Sequence, residues 1–237
     1  MNRAYVFFDM DDTLVEWVTS WEDAFARAAA EEGVHITRQQ AFNALNEAFS
    51  TIYGECLRSH AAARDESAFW LDYDARIFES LGVREGARRA AQRVAKLLQR
   101  PDAIALYPEV RGVLEALADR GARLGIITGR PRALPDLEAL GVAKYFDLIL
   151  DGLSFGEAKQ VGGVLFRHAA EVVAGAGLVG WHVGDSLVHD VEAATAAGFR
   201  AVLVDRRGRH PGASCLRVES LDRLPDLISS AAREDGA

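Results

Sequence analysis

Acidic, hydroxyl and glycine residues recur in this chain just where an apolar run ends. Asp9, Asp11, Asp12 and Thr13 follow the run 4–8. Thr128, Gly129 and Arg130 stand at the end of the run 123–128. Asp151, Gly152 and Ser154 follow 145–150, with Lys159 a little further on. Gly184, Asp185, Ser186 and Asp190 close the run 179–184. If Asp9, Asp11, Asp185 and Asp190 converge, Lys159 alone does not balance them. Clustered carboxylates then raise their pKa values or recruit a cation. All-oxygen donors suit a hard ion, and Mg²⁺ is the common choice where a phosphate completes the shell. The residue types therefore point to metal-assisted phosphate chemistry, provided that these turns share one edge of a sheet.

The elements needed for that are legible. The run 4–8 is aromatic and β-branched and stops at Asp9, which predicts a buried strand. Beyond Pro101 strands and helices alternate. Strands are predicted over 123–128, 145–150, 179–184 and 200–204, and helices over 109–120, 132–140, 164–174, 188–197 and 221–232. Gly121 and Gly141 mark helix ends. Such alternation implies right-handed crossovers and a mainly parallel sheet. Ligands of such sheets bind outside the carboxyl ends of the strands, where the polar turns lie. The residues from about 20 to 100 differ, being rich in Ala, Arg and Glu at helical spacing. Phe42, Leu45 and Phe49 share one face there, as do Phe69, Tyr73 and Ile77. Four or five helices are predicted, broken near Gly33, Gly54 and Gly82. The chain thus reads as an α/β core, residues 1–16 and 101–237, with a helical insertion over 17–100. The tail after 232 is expected to fray.

Composition narrows the partners. The 237 residues are 49% hydrophobic and 26% charged, ordinary for a globular protein with its own core. A net charge of −8 argues against a nucleic-acid partner. No apolar run approaches the roughly 18 residues of a membrane span. The N-terminal apolar stretch is too short for a signal peptide, so a cytoplasmic protein is expected. Cys56 and Cys215 have no metal-ligand spacing and read as reduced thiols.

These residues carry a family resemblance. Phe8-Asp9-Met10-Asp11-Asp12-Thr13-Leu14 resembles the first motif of the haloacid dehalogenase-like hydrolases, Asp-x-Asp-x-Thr after a hydrophobic strand. Ile126-Ile127-Thr128-Gly129 resembles the second, Lys159 the third, and Gly184-Asp185-Ser186 followed by Asp190 the fourth. The four stand in the family's order across almost the whole chain. The helical insertion resembles the α-helical cap of one subfamily, and the resemblance implies a Rossmann-like core. It implies Asp9 as the nucleophile and Asp11 as general acid and base. It implies Mg²⁺ held by Asp9, the Asp11 backbone carbonyl and Asp185. Thr128 and Gly129 would bind phosphoryl oxygens, Lys159 would add positive charge, and Asp190 would support the metal shell or Lys159.

The third motif commonly continues Lys-Pro-x-Pro, whereas this chain has Lys159-Gln160-Val161-Gly162-Gly163. Arg130 and Arg132 are therefore alternative cations for the task of Lys159. His189 is expected on a solvent-facing helix surface, and Asp12 in a turn or cap. An acid at Asp11 favours phosphoryl transfer to water, because displacing a halide needs no protonated oxygen. The resulting expectation is a Mg²⁺-dependent phosphatase acting on a small phosphorylated metabolite through an aspartyl-phosphate. A phosphomutase of the same fold and a non-catalytic binding protein are the rival readings. Trp17, Trp21, Arg58 and Trp70 are candidate substrate contacts in the insertion, and the aromatic residues there, with Phe69 and Tyr73, equally suit a core.

Overall fold

The computed structural model describes residues 4–98, 100 and 102–234. They fall into two compact units. One lies within Met1–Glu16, Leu106–Asp151 and Lys159–Ala237, the other within Trp17–Ala105 and Gly152–Ala158.

The first unit is built on six strands: β1 (Ala4–Phe8), β4 (Arg123–Ile127), β5 (Leu148–Leu150), β6 (Val179–Gly184), β7 (Arg200–Val204) and β8 (Leu216–Val218). They lie in the order β5-β4-β1-β6-β7-β8, and every pairing is parallel. Every residue of β1 is buried, as a central parallel strand covered on both faces requires. Two further strands, β2 (Val15–Trp17) and β3 (Ile104–Leu106), pair where the chain passes into the second unit and returns. Neither is expected from the sequence, nor is β8. Each is three residues long, too short for a period-two pattern to show.

Register decides what the sheet presents. Phe8 lies beside Ile126 on one side and Val183 on the other. The turns after β1, β4 and β6 therefore emerge side by side. Phe7 fills the space over β4 because Gly125 has no side chain. A Cβ there would run into the Phe7 ring and close on the Leu148 carbonyl.

Helices Val110–Asp119, Leu134–Ala139, Val164–Ala176 and Leu224–Glu234 belong to this unit. The helix expected over 188–197 begins instead as a π-helical turn, Leu187–Glu192, before Ala193–Ala196. Both Asp190 N–H and Val191 N–H donate to the Ser186 carbonyl (3.1 Å each), which is the wider turn itself. The strand expected from 145 starts only at Leu148, because Ala143–Tyr145 forms a 3₁₀ turn. Of the tail expected to fray after 232, residues 233 and 234 continue the last helix, and 235–237 lie outside the described residues.

The second unit holds five longer helices among the described residues: Trp21–Glu31, Arg38–Thr51, Tyr53–Ala61, Glu66–Ser80 and Ala87–Leu98. Gly33 and Gly82 end helices with φ of 79° and 90°, as expected of a C-terminal stop. Gly54 does not. It sits inside the third helix, and the break falls at Ile52. The break at 62–65 carries no glycine. Arg64 takes φ 50° there and Asp65 caps the next helix, accepting from Ala68 N–H at 2.9 Å. Phe42 is exposed, so of the expected face Phe42–Leu45–Phe49 only Leu45 and Phe49 pack, partly buried, against the core. Ala41 and Ala48 are buried beside them. The unit also takes in the short helix Gly152–Phe155, with Leu153 in its core, so it runs past residue 100 and recruits a segment from beyond β5. Among the described residues no helix is long and apolar enough to cross a membrane.

Candidate active site

The first turn is shaped by the backbone. Asp9 N–H still donates to the Val183 carbonyl (2.9 Å), so Asp9 extends β1 by one rung. The Met10 carbonyl then accepts from Thr13, Leu14 and Val15 N–H groups (3.3, 2.8 and 3.0 Å). Asp12 closes this loop at φ 53°, a conformation that Asp tolerates better than most residues. Its carboxylate receives the Tyr107 hydroxyl (3.3 Å) and Arg207 Nη2 (2.9 Å), so Asp12 serves the turn. The loop separates its two flanking carboxylates. Asp9 is buried and Asp11 is half-exposed.

A buried network surrounds Asp9. Lys159 Nζ donates to Asp9 Oδ1 and, at 2.6 Å, to Asp190 Oδ1. The same Asp190 oxygen meets His182 Nε2 at 2.8 Å, and Ser186 N–H donates to Asp190 Oδ2 at 2.9 Å. Gly184 leaves room for this carboxylate, since a Cβ on Gly184 would overlap it. Lys159 is thus the cation on Asp9. Arg130 is committed to Asp11 and Asp136, and Arg132 is exposed, so neither takes over its place. His189 is not solvent-facing as expected. It is half-buried, and its Nδ1 lies 3.1 Å from the Lys159 carbonyl, which can only accept. His182 is the participant that sequence reasoning misses. The available signal is one histidine inside the apolar strand Val179-Gly180-Trp181-His182-Val183.

The electrostatics follow from burial with too few cations. Burial pushes Asp9 up to about 7, with Lys159 pulling down and Asp190 and Asp11 pushing up. Burial and then repulsion from Asp9 push Asp185 up to about 8. Burial works against the Asp190 carboxylate too, yet Lys159 and His182 outweigh it and hold Asp190 far below the usual range. Burial would lower Lys159, but Asp190 and Asp9 outweigh it and keep the ammonium charged. Asp190 is therefore the settled partner of Lys159, and Asp9 and Asp185 are left short of positive charge.

A divalent cation fits this deficit. Ligand oxygens of Asp9, Asp185 and Asp190 lie within 4.8 Å of one another. Asp190 already serves Lys159, His182 and Ser186, which leaves Asp9 and Asp185 as the carboxylates able to take an ion. A hard ion matches an all-oxygen donor set. Asp11 points its side chain elsewhere. Arg130 Nη2 donates to Asp11 Oδ1 (2.8 Å) and Nε to Oδ2 (3.0 Å), while Nη1 pairs with Asp136. Thr128 is buried after β4, and its Oγ1 accepts from Arg130 N–H (3.2 Å), leaving the hydroxyl proton for donation elsewhere. Gly129 follows it in the same turn.

In the helical unit the aromatic side chains pack on one another. Trp21 lies 5.3 Å from Trp17 and 5.1 Å from Trp70, ring to ring. Phe69 and Tyr73 are core residues, stacked 5.8 Å apart. Arg58 is exposed.

A family model described as haloacid dehalogenase-like hydrolase matches residues 4–198. A phosphoglycolate phosphatase of Cupriavidus necator is 36% identical over 133 residues, covering 53% of this chain and only 57% of that relative. A phosphoserine phosphatase of Thermus thermophilus is 29% identical and covers 97% of this chain and 96% of its own. Among solved structures, a 2-haloacid dehalogenase of Pseudomonas syringae superposes with a TM-score of 0.61 at 26% identity, covering 98% of this chain and all of that one.

Proposed function

Because the chain belongs to the haloacid dehalogenase-like hydrolases, we propose that it is a Mg²⁺-dependent phosphatase that hydrolyses a small phosphate monoester through an aspartyl-phosphate on Asp9. The observation that carries the reading is the pairing of a buried Asp9, held by Lys159, with a second carboxylate, Asp11, two residues on. A dehalogenase has no use for that second acid. The phosphatase relatives support the same choice.

In this reading an Asp9 oxygen attacks phosphorus, and the bond from phosphorus to the ester oxygen breaks. Asp11 gives that oxygen a proton, and so must exchange Arg130 for the leaving group. Water then attacks the aspartyl-phosphate, Asp11 takes its proton, and Asp9 is released with inorganic phosphate. Lys159 holds Asp9 in line and offsets charge on the transferring group. Thr128 Oγ and Gly129 N–H bind phosphoryl oxygens. Mg²⁺ on Asp9, Asp185 and the Asp11 carbonyl would supply charge neutralisation between nucleophile and substrate. We assign the helical unit the role of a cap, and variants at Trp17, Trp21, Arg58 and Trp70 test whether it selects the substrate.

The test is phosphate release across a panel of small phosphate esters, with Mg²⁺ and with chelator, beside Asp9→Asn. Turnover that needs Mg²⁺ and disappears in a folded Asp9→Asn supports the reading. Folded, metal-bound wild-type protein that releases no phosphate from any ester overturns it.

A further inference from the structure

We infer that His182 is a positioning residue for the reaction, acting on Lys159 through Asp190; this rests on the phosphatase reading above. The loop that follows Lys159 closes on itself, with Gly163 N–H donating to the Gln160 carbonyl at 3.0 Å. It runs Lys159-Gln160-Val161-Gly162-Gly163, with Gly162 at φ 70° and Val161 exposed. Lys159 is also gripped from the facing turn. His189 Nδ1–H holds the Lys159 carbonyl, and Asp190 holds the ammonium.

Asp190 can do this only if its own carboxylate is fixed. Ser186 N–H fixes Oδ2, and His182 fixes Oδ1 from within β6. An ionised carboxylate only accepts, so the hydrogen in the 2.8 Å contact sits on His182 Nε2. Burial keeps the ring neutral, so Nδ1 carries no proton, and Nδ1 has no hydrogen-bond partner among the described residues. The ring is fully buried and packs edge-on to Phe166, with centroids 4.9 Å apart. His182 and Gly184 are two apart on one face of β6: one anchors the Asp190 carboxylate and the other gives it space. Without the Nε2–H, Oδ1 keeps Lys159 as its tether and the carboxylate can pivot about its remaining Ser186 N–H bond, carrying the ammonium with it. Lys159 then no longer stands at a fixed distance from Asp9.

The experiment compares His182→Leu, which removes the donor, with His182→Gln, whose amide N–H can stand in for Nε2–H. Each is made alone and with Asp190→Asn, and kcat, KM and denaturant unfolding are measured with Mg²⁺ present. Expected is a loss of kcat of about 10- to 100-fold in His182→Leu with KM within about twofold, and recovery of most of that loss in His182→Gln. In the Asp190→Asn background His182→Leu should cost no further activity. Equal losses in the Leu and Gln variants, or a full loss from His182→Leu on top of Asp190→Asn, overturn the inference. Wild-type protein inert toward every ester would defeat the phosphatase reading instead. Unfolding then still decides the contact: non-additive effects of the two substitutions support the His182–Asp190 link, and additive ones overturn it.

Discussion

Arg130 grips Asp11 by both carboxylate oxygens, at 2.8 Å and 3.0 Å, while its remaining arm holds Asp136. Arg130 itself is buried, whereas both of its partners are more than a third exposed. The pairing fixes which way Asp11 points, because a bidentate fork constrains orientation as well as distance. Arg130→Ala should cost stability only modestly, about 1–2 kcal/mol, since both carboxylates can hydrate. Its larger effect should fall on the acid step. Asp11→Asn should lose roughly 100- to 10,000-fold on alkyl phosphates and much less on p-nitrophenyl phosphate, whose leaving group needs no proton. Arg130→Ala should show a weaker version of that same leaving-group dependence. Equal losses on both ester types in Asp11→Asn would remove Asp11 from the acid role.

Gly184 tests the packing beneath Lys159. A Cβ there meets the Asp190 carboxylate, which is tied on both oxygens and has nowhere to go. Gly184→Ala should destabilise the fold by about 1–3 kcal/mol, as overpacking does, and lower kcat beyond what the remaining folded fraction explains. Denaturant unfolding and active-site titration separate the two effects. Full activity in a stable Gly184→Ala would show that the carboxylate can shift without harm.

The raised acids predict how the metal competes with protons. Without metal, burial holds Asp9 at about 7 and Asp185 at about 8. The unfolded chain releases both protons near 3.8, so the folded chain holds more protons between those values. In chelator, stability should therefore be greatest at low pH on this account and fall as pH rises toward 8. Mg²⁺ needs both groups ionised, so its binding at pH 7 should expel between one and two protons. Calorimetry in buffers of different ionisation enthalpy counts them. Apparent affinity should climb steeply from pH 6 to 8, then level. Pairing Mg²⁺ with no proton release at pH 7 would show that Asp9 and Asp185 are not both ligands.

Much of this site can be read from the sequence because its parts sit at strand ends. Asp9, Thr128 and Asp185 follow apolar runs that end in polar turns, and parallel register lines those turns up. What cannot be read is anything set by side-chain direction. Asp11 and Asp9 are equal in the sequence, yet the turn at Asp12 sends one to Arg130 and leaves the other buried. His182 hides in an apolar strand, where a histidine has no periodic signature. His189 looks like a helix-surface residue because the π-helical turn that tilts it toward Lys159 leaves no mark in the spacing. The short strands β2, β3 and β8 are invisible for a simpler reason, since three residues do not make a pattern. In the helical unit the break at Arg64 is missed because a non-glycine residue adopts a positive φ there.

The helical unit contains a buried acid of its own, Asp74. It lies in the helix Glu66–Ser80, is 1% exposed, and its Oδ1 has no hydrogen-bond partner among the described residues. Burial alone pushes its pKa well above 3.8. The folded chain thus keeps a proton that the unfolded chain releases, and Asp74 costs stability as pH rises above 3.8. Asp74→Asn has nearly the same shape and cannot ionise. It should leave stability unchanged below about pH 4 and raise it by about 1–3 kcal/mol at pH 7. Urea unfolding of both proteins from pH 3.5 to 8 measures this directly. Curves that run parallel over that range would mean that Asp74 finds a cation or water in solution, and that the buried carboxyl is no burden to the fold.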